Sequence, residues 1–251
     1  MNKDLQYQLI KPEKSLADFV ESFWVLQNQT DSDKELIVLP DGRIDLIFSK
    51  SNNKLFQTTL LGIATQPDIV VLSSKTIMFV VSFKLPAIEF VFQNSISNLL
   101  NTAHSLSSNF WGFSPNDLND FSNCCEKATQ IIQSLLPHDF DSRKQELFNL
   151  IYSYNGEMTV KEISEKIFWS SRQINRYFNQ QFGLSLKEYC NIIRFRASFH
   201  HIKEGKLFPE QNFADQSHFI KEVRKLSGVS PKQLTRNQND RFIQFSTLTK
   251  K

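Results

Sequence analysis

Arg172, Asn175, Arg176 and Asn179 fall on one side of the stretch Ser170 to Gly183, whose other side repeats Ile174, Phe178 and Phe182 every fourth residue. A helix with that pattern buries the apolar stripe and presents the polar one. Arg and Asn are the side chains that pair bidentately with guanine and adenine edges in the DNA major groove. Thr159 with Glu162, and Ser170 with Gln173, are S/T-x-x-E/Q starts, so the chain begins a helix twice in quick succession. Two short helices joined by a tight turn form a helix-turn-helix unit, and its second helix enters the major groove.

The pattern returns 45 residues later: Ile174, Phe178 and Gly183 reappear as Phe219, Val223 and Gly228, and GLSLKE as GVSPKQ. A repeat of this kind implies a second unit of the same make. Asp215 is the expected N-cap, Phe219, Val223 and Leu226 face inward, and Ser217, Ile220, Lys221 and Arg224 project outward, with Lys221 in the place of Arg176. Between the copies the sequence predicts one long helix, capped by Ser185 with Glu188 and closed by Gly205, with apolar residues on two sides. It would be a strut that holds both reading helices at a fixed spacing, the natural one being a turn of DNA, about 34 Å.

From about Asp141 to Arg236 the chain resembles the double helix-turn-helix DNA-binding domain of the AraC-type (AraC/XylS) transcription regulators. VKEISEKI, SSRQINRYFNQQFG, LKEYCNIIRFRAS and ADQSHFIKEVRKLSGVSPKQL stand in the expected order. The resemblance implies base contacts from Arg172, Asn175 and Arg176 on the first reading helix and from Gln216, Ser217 and Lys221 on the second. One departure concerns the second unit. The family places a full helix before its reading helix, whereas here only LFPEQN precedes Phe213, and Pro209 forbids a long helix. Ile220 could touch a thymine methyl or turn into the core. Lys161, Lys166, Lys187, Arg194, Lys225 and Lys232 are the candidates for phosphate contact, which positions a protein on DNA without specifying sequence.

Charge follows the same division. Of 251 residues, 1–149 hold 12 Lys/Arg against 17 Asp/Glu, net −5, and 150–251 hold 17 against 9, net +8. Phosphate binding requires such a basic half, although a solvated surface can also be basic. MNKDLQYQLI has no secretory signal pattern and no apolar run is long enough to span a bilayer, so a cytoplasmic protein with no membrane partner is expected.

The first half reads as β-rich. LADFVESFWVLQNQ suggests a short helix running into a strand at Trp24 to Gln27, and P-D-G in ELIVLPDGRIDLIFSK predicts a hairpin. Further strands are expected at Thr58 to Ile63, Asp68 to Leu72 and Ile77 to Leu85, closing a small barrel or sandwich. LADFVESFWVL, LPDGRIDLIF and LLGIATQP resemble the amino-terminal domain of a subset of AraC-type regulators. That likeness implies a domain that senses a small-molecule effector or mediates homodimerisation. Arg43 and Asp45 share one strand face with Trp24 near by, which makes either an aromatic-lined ligand site or an ordinary surface pair.

A helical connector follows, SPNDLNDFSNCCEKATQIIQSLL, opened by Ser114 and Pro115, with Leu118, Phe121, Cys125, Ala128, Ile132 and Leu135 as an apolar stripe. Packing on its own β-domain and self-association are its two readings. Arg143 to Tyr154 is expected as the first helix of the DNA-binding domain. Enzyme chemistry is disfavoured. His104, His138, His200, His201 and His218 offer no H-x-H spacing, Cys124 and Cys125 lie on the apolar stripe, and no Gly-rich phosphate loop is present. No cofactor or metal is therefore expected.

The expected architecture is α+β: a β-rich domain at 1–113, a connector at 114–140 and an all-α double helix-turn-helix DNA-binding domain at 141–251. The expected function is sequence-specific regulation of transcription on double-stranded DNA. The competing reading is a ligand- or protein-binding module whose basic half docks an acidic partner such as RNA polymerase.

Overall fold

A computed structural model of the chain describes residues 4–52, 54–137, 139–206, 213, 215–238 and 241–248. The strands come first: β1 (Leu5–Ile10), β2 (Val20–Asn28), β3 (Lys34–Val38), β4 (Ile44–Ser51), β5 (Lys54–Leu61), β6 (Asp68–Leu72), β7 (Ile77–Phe83) and β8 (Ala103–Leu106). Six of them form an antiparallel sheet in the order β1-β2-β7-β4-β5-β8, and β3 pairs with β6 in a separate two-stranded sheet. Strand β7, IMFVVSF, is apolar on both faces because it lies in the middle of the larger sheet with a layer on each side.

The register sorts those faces. Phe23, Val81 and Leu46 lie in one row, and Val25, Phe79 and Phe48 in the next, on the face that carries the main core. Ser22, Ser82 and Asp45, then Trp24, Val80 and Ile47, form rows on the opposite face, which the β3–β6 pair covers. Asn28 ties the layers together: its Nδ2 donates to the carbonyls of Ser32, Leu72 and Ser73, and its Oδ1 accepts from Thr30.

The helices follow: α1 (Ile88–Val91), α2 (Phe121–Leu135), α3 (Ser142–Ser153), α4 (Val160–Ile167), α5 (Ser171–Phe182), α6 (Leu186–Ala197), α7 (Phe199–Lys203), α8 (Gln216–Ser227), α9 (Pro231–Arg236) and α10 (Ile243–Thr247). The β-rich region followed by a helical region is the α+β arrangement expected.

Four local expectations are corrected. Strands β3 and β4 form at the two ends of ELIVLPDGRIDLIFSK, yet they do not pair as a hairpin; each joins a different sheet. The turn exists, with Gly42 at φ +75° and Asp41 Oδ1 accepting from Arg43 N–H. Its backbone, however, is taken up by the helical half: Gln244 bonds both the N–H and the C=O of Leu39, and Tyr189 bonds the Gly42 carbonyl. The helix expected within LADFVESF is only a 3-10 turn at Lys14–Leu16, and β2 begins at Val20. The connector helix starts at Phe121 with Asp120 as N-cap, because Asp117 folds back on the N–H and hydroxyl of Ser114. The long strut is two helices, broken at Ser198, whose hydroxyl bonds the Phe195 carbonyl. The expectation for Pro209 and LFPEQN, and the one for His138, fall outside the described residues.

One hydrophobic cluster runs from Leu16 and Phe23 in the sheet through Phe148, Phe178 and Tyr189 to Phe245. Within it lies a chain of hydroxyls. Leu85 N–H donates to Tyr152 Oη at 3.1 Å, Tyr152 and Tyr189 share a 2.9 Å contact, and Tyr189 donates to the Gly42 carbonyl at 2.9 Å. Each phenol has one proton, so Tyr152 must donate to Tyr189. A Cβ at Gly42 would stand 2.7 Å from Ile193 Cδ1 and 3.2 Å from Tyr189 Cε2, so only glycine fits this close approach and positive φ.

Tyr189→Phe removes the middle of that chain and leaves the buried Gly42 carbonyl without its partner and the Tyr152 hydroxyl without its acceptor. The expected loss is about 1–3 kcal/mol of unfolding free energy, read from urea denaturation; an unchanged midpoint would show that the hydroxyl carries nothing.

Candidate nucleic-acid interface

Helix α4 begins with a complete capping box. Thr159 Oγ1 accepts from Glu162 N–H at 3.2 Å, and Glu162 Oε2 accepts from Thr159 N–H at 2.7 Å, which holds the Glu162 carboxyl below its usual range. Helix α5 starts the same way through Ser170 and Gln173. The turn between them is left-handed at Phe168, φ +55°, with its ring 91% exposed. Trp169 closes the turn by packing on Tyr177, with the Arg143 guanidinium over its outer face. Sequence spacing did not single out Phe168 or Arg143.

Ile174, Phe178 and Phe182 are fully buried, and Arg172, Arg176 and Asn179 are exposed, so α5 turns its apolar stripe inward as the spacing requires. Asn175 differs from its neighbours. It is half-buried, its Nδ2 donates to the Ser171 carbonyl at 3.0 Å, and its Oδ1 accepts from Leu186 N–H at 3.3 Å. Its carboxamide thus fastens α5 to the first turn of α6.

Helix α8 repeats the design. Asp215 caps it by accepting from His218 N–H at 2.8 Å; Phe219, Val223 and Leu226 are buried; Gln216, Ser217, Lys221, Arg224 and Lys225 are exposed. Ile220 is half-buried and packs against the core. The sequence repeat is thereby explained locally. Gly183 and Gly228 end the two helices in the left-handed conformation, φ +81° and +73°, and Ser185 and Ser230 start the next helices with capping boxes. Lys161, Lys166, Lys187, Lys225 and Lys232 are exposed. Arg194 is half-buried, bonded to Asn191 and stacked on Phe213, 5.6 Å from the ring centroid.

The β-region docks on α5 without covering its polar face. Ser95 Oγ donates to the Gln180 carbonyl at 2.6 Å and Ile96 N–H to the Gln181 carbonyl at 2.9 Å, satisfying carbonyls that the end of α5 leaves open. The Ser97 carbonyl lies where a Cβ on Gly183 would sit, 2.6 Å away. Glu89 accepts from Tyr177 Oη and from Lys144 Nζ, both at 2.5 Å; burial first, and then Glu89, push the Tyr177 phenol up.

Trp24, Arg43 and Asp45 all line a cavity of about 200 Å³ between the six-stranded sheet and the β3–β6 pair. Trp24 Nε1 donates to Ser82 Oγ at 2.9 Å, and Ser82 Oγ donates to Asp45 Oδ1 at 2.5 Å. Arg43 faces Asp41, Nε to Oδ2 at 3.6 Å, and Glu21, Nη2 to Oε1 at 3.9 Å, so a simple surface pair with Asp45 is not what the structure holds. Glu21 also meets Arg196 of α6 at 2.7 Å. A cleft of about 760 Å³ between the β-region and α6, lined by Glu21, Arg43 and Arg196, borders the cavity and shares Tyr7, Asp41, Arg43 and Gln244 with it.

Residues 8–105, which run from β1 to β8, match a family described as a domain of unknown function, DUF6597. No curated protein matches the chain. Among solved structures the chain is similar to ToxT from Vibrio cholerae, at 14% identity and a TM-score of 0.45, over 93% of this chain and 98% of that one. It is similar as well to Vibrio cholerae ToxT bound to (E)-4-(8-methylnaphthalen-1-yl)but-3-enoic acid, at 15% identity and 0.44, over 93% and 98%. For unsaturated fatty acid bound wild-type ToxT of Vibrio cholerae the values are 15% and 0.40, over 94% and 96%. Among the described residues, no helix is long and apolar enough to cross a membrane.

Two carboxyls of the cluster around Arg43, Glu21 and Asp45, are displaced in opposite directions. Burial alone would raise Glu21, but Arg196, then Arg43 and Lys11, outweigh it and hold the group at about 2. For Asp45, burial and then Asp41 prevail over Ser82 and Arg43 and push it to about 7. Glu21 therefore adds stability that is complete above its unfolded value of about 4.3 and is lost as the pH falls towards the folded one. Asp45 has the opposite sign: its contribution is complete below an unfolded value of about 3.9 and is lost as the pH rises through neutrality. Chemical denaturation across a pH series should show a shallower acid limb for Glu21→Gln and a shallower decline between about pH 4 and 7 for Asp45→Asn. Slopes identical to the wild type would remove these assignments.

Proposed function

We propose that the chain is a sequence-specific DNA-binding transcription regulator of AraC type that inserts α5 and α8 into the major groove. The observation that carries this reading is the duplicated helix: two twelve-residue elements, each N-capped, each ended by a left-handed glycine, each with an exposed polar face. Arg172 and Arg176 are free to read guanine on α5, and Gln216, Ser217 and Lys221 are placed to act on α8. With Asn175 occupied by α6, discrimination by α5 rests on the two arginines, and Ile220 supports α8 from within. Lys161, Lys166, Lys187, Lys225 and Lys232 supply phosphate contacts; Arg194 contributes packing behind them. The cavity beside Arg43 is the place for a small-molecule effector, and the bonds from Ser95 and Ile96 to the end of α5 link that region to the reading helix.

Selection of duplex DNA from a random pool by the full chain tests the reading. Enrichment of one motif supports it, whereas uniform weak binding supports a basic surface that docks an acidic partner. On the selected site Arg176→Ala should cost about 1–3 kcal/mol and flatten the preference at one base pair, while Lys225→Ala weakens all sequences alike and lowers the salt slope by about one. Equal losses on selected and random DNA for Arg176→Ala would remove that residue from base reading.

A further inference from the structure

We propose that the cavity between the six-stranded sheet and the β3–β6 pair binds a small molecule with a ring-sized apolar body and a neutral head that both donates and accepts hydrogen bonds. An alcohol or a primary amide fits that description; a carboxylate or an ammonium does not. The inference rests on the regulator reading only for the consequence of binding, since the binding itself depends on this cavity alone.

Size and lining fix the body of the ligand. The cavity measures about 200 Å³ and is walled by Trp24, Leu26, Leu36, Val70, Met78 and Ile243. An engineered apolar cavity of about 150 Å³ takes up benzene, so there is room here for one ring and a short polar substituent.

The polar end fixes the head. Arg43 Nε is buried and has no hydrogen-bond partner; its two carboxylates stand at 3.6 and 3.9 Å, beyond hydrogen-bond reach. A buried donor left open in this way calls for an acceptor. Asp45 uses Oδ1 for Ser82 and lines the cavity, where its carboxylate can accept from a donor on the ligand. A carboxylate head would satisfy Arg43 but add an anion beside Asp41 and bring no donor to Asp45 in its ionised form. An ammonium would satisfy Asp45 but face the guanidinium and leave Nε open. A hydroxyl or carboxamide answers both, and it does so whether Asp45 is ionised or protonated, a useful property for a carboxyl displaced to about 7.

One wall belongs to the far end of the chain. Ile243 and Gln244 come from α10, and Gln244 is held to both backbone groups of Leu39. Helix α10 is tied in turn to the end of α9 by Asn237, which accepts from Phe242 N–H and donates to Ser246 Oγ, both at 2.9 Å. Ligand in the cavity therefore touches an element anchored on the second helix-turn-helix unit.

Isothermal titration and thermal shift of the full chain at pH 7, without DNA, test the proposal with benzyl alcohol, benzamide, benzoate, benzylamine and toluene. The alcohol and the amide should bind at least tenfold more tightly than the other three. Val70→Phe, which fills the cavity, should abolish binding while leaving the circular dichroism spectrum unchanged. Should that variant not fold, Asp45→Asn serves in its place: removing the anion should raise benzoate affinity several-fold relative to the alcohol. The proposal is overturned if benzoate or benzylamine matches the alcohol, if toluene does, if a folded Val70→Phe still binds, if Asp45→Asn leaves the benzoate ratio unmoved, or if none of the probes binds. Because no DNA is present, failure to select an operator leaves this result untouched, and the reverse holds too.

Discussion

The structure depends on Tyr189. Its ring is fully buried in the one core that the sheet and the helices share, and its hydroxyl is the middle of a bond chain that starts at Leu85 and ends at Gly42. Both ends of that chain belong to the β-region and both phenols to the helices, α3 and α6. A buried phenol must be satisfied, and here the only proton arrangement that works requires both halves at once. Domains in one chain move relative to each other when their interface is small and polar; this one is apolar and continuous with the core.

That constraint explains which features were legible in the sequence. Helix starts and stops were, because a capping box or a left-handed glycine is satisfied within a few residues: Thr159, Ser170, Ser185, Gly183 and Gly228 all behave as their types require. The α5 stripe was legible too, since helical period alone puts Ile174, Phe178 and Phe182 together. The separation of β3 and β4 was not, because β3 takes β6 as its partner and β4 takes β5 and β7, and no local signal at the turn selects among them. A P-D-G turn marks where the chain bends and says nothing about which sheet the next strand joins.

The candidate sites divide in the same way. Arg172 and Arg176 are exposed as their positions imply, but Asn175 looks the same in sequence and is occupied by Leu186 N–H, a group whose availability depends on how α6 docks. Arg43, Asp45 and Trp24 were legible as neighbours on one face through strand alternation. Their burial was not, because it comes from the β3–β6 layer and from α10, elements distant in sequence. Arg194 reads as one more basic residue until Phe213 is placed under it.

Two of the anchors that join the β-region to the helical half lie at its opposite ends. Ser95 and Ile96 bond the last carbonyls of α5, and Leu39 holds α10, which Asn237 connects to α9. A ligand shifts a conformational equilibrium only by the difference in its affinity for the two states. In the cavity that difference has a physical source, since its wall includes Ile243 and Gln244: any state that lifts α10 loses ligand contact, and any occupant that contacts Ile243 favours the state with α10 seated. Such an occupant would hold α10, and through Asn237 the end of α9, against the sheet, while Ser95 and Ile96 hold the end of α5. Whether α10 stays on the sheet is therefore the step at which an occupant of the cavity can act on the helical half.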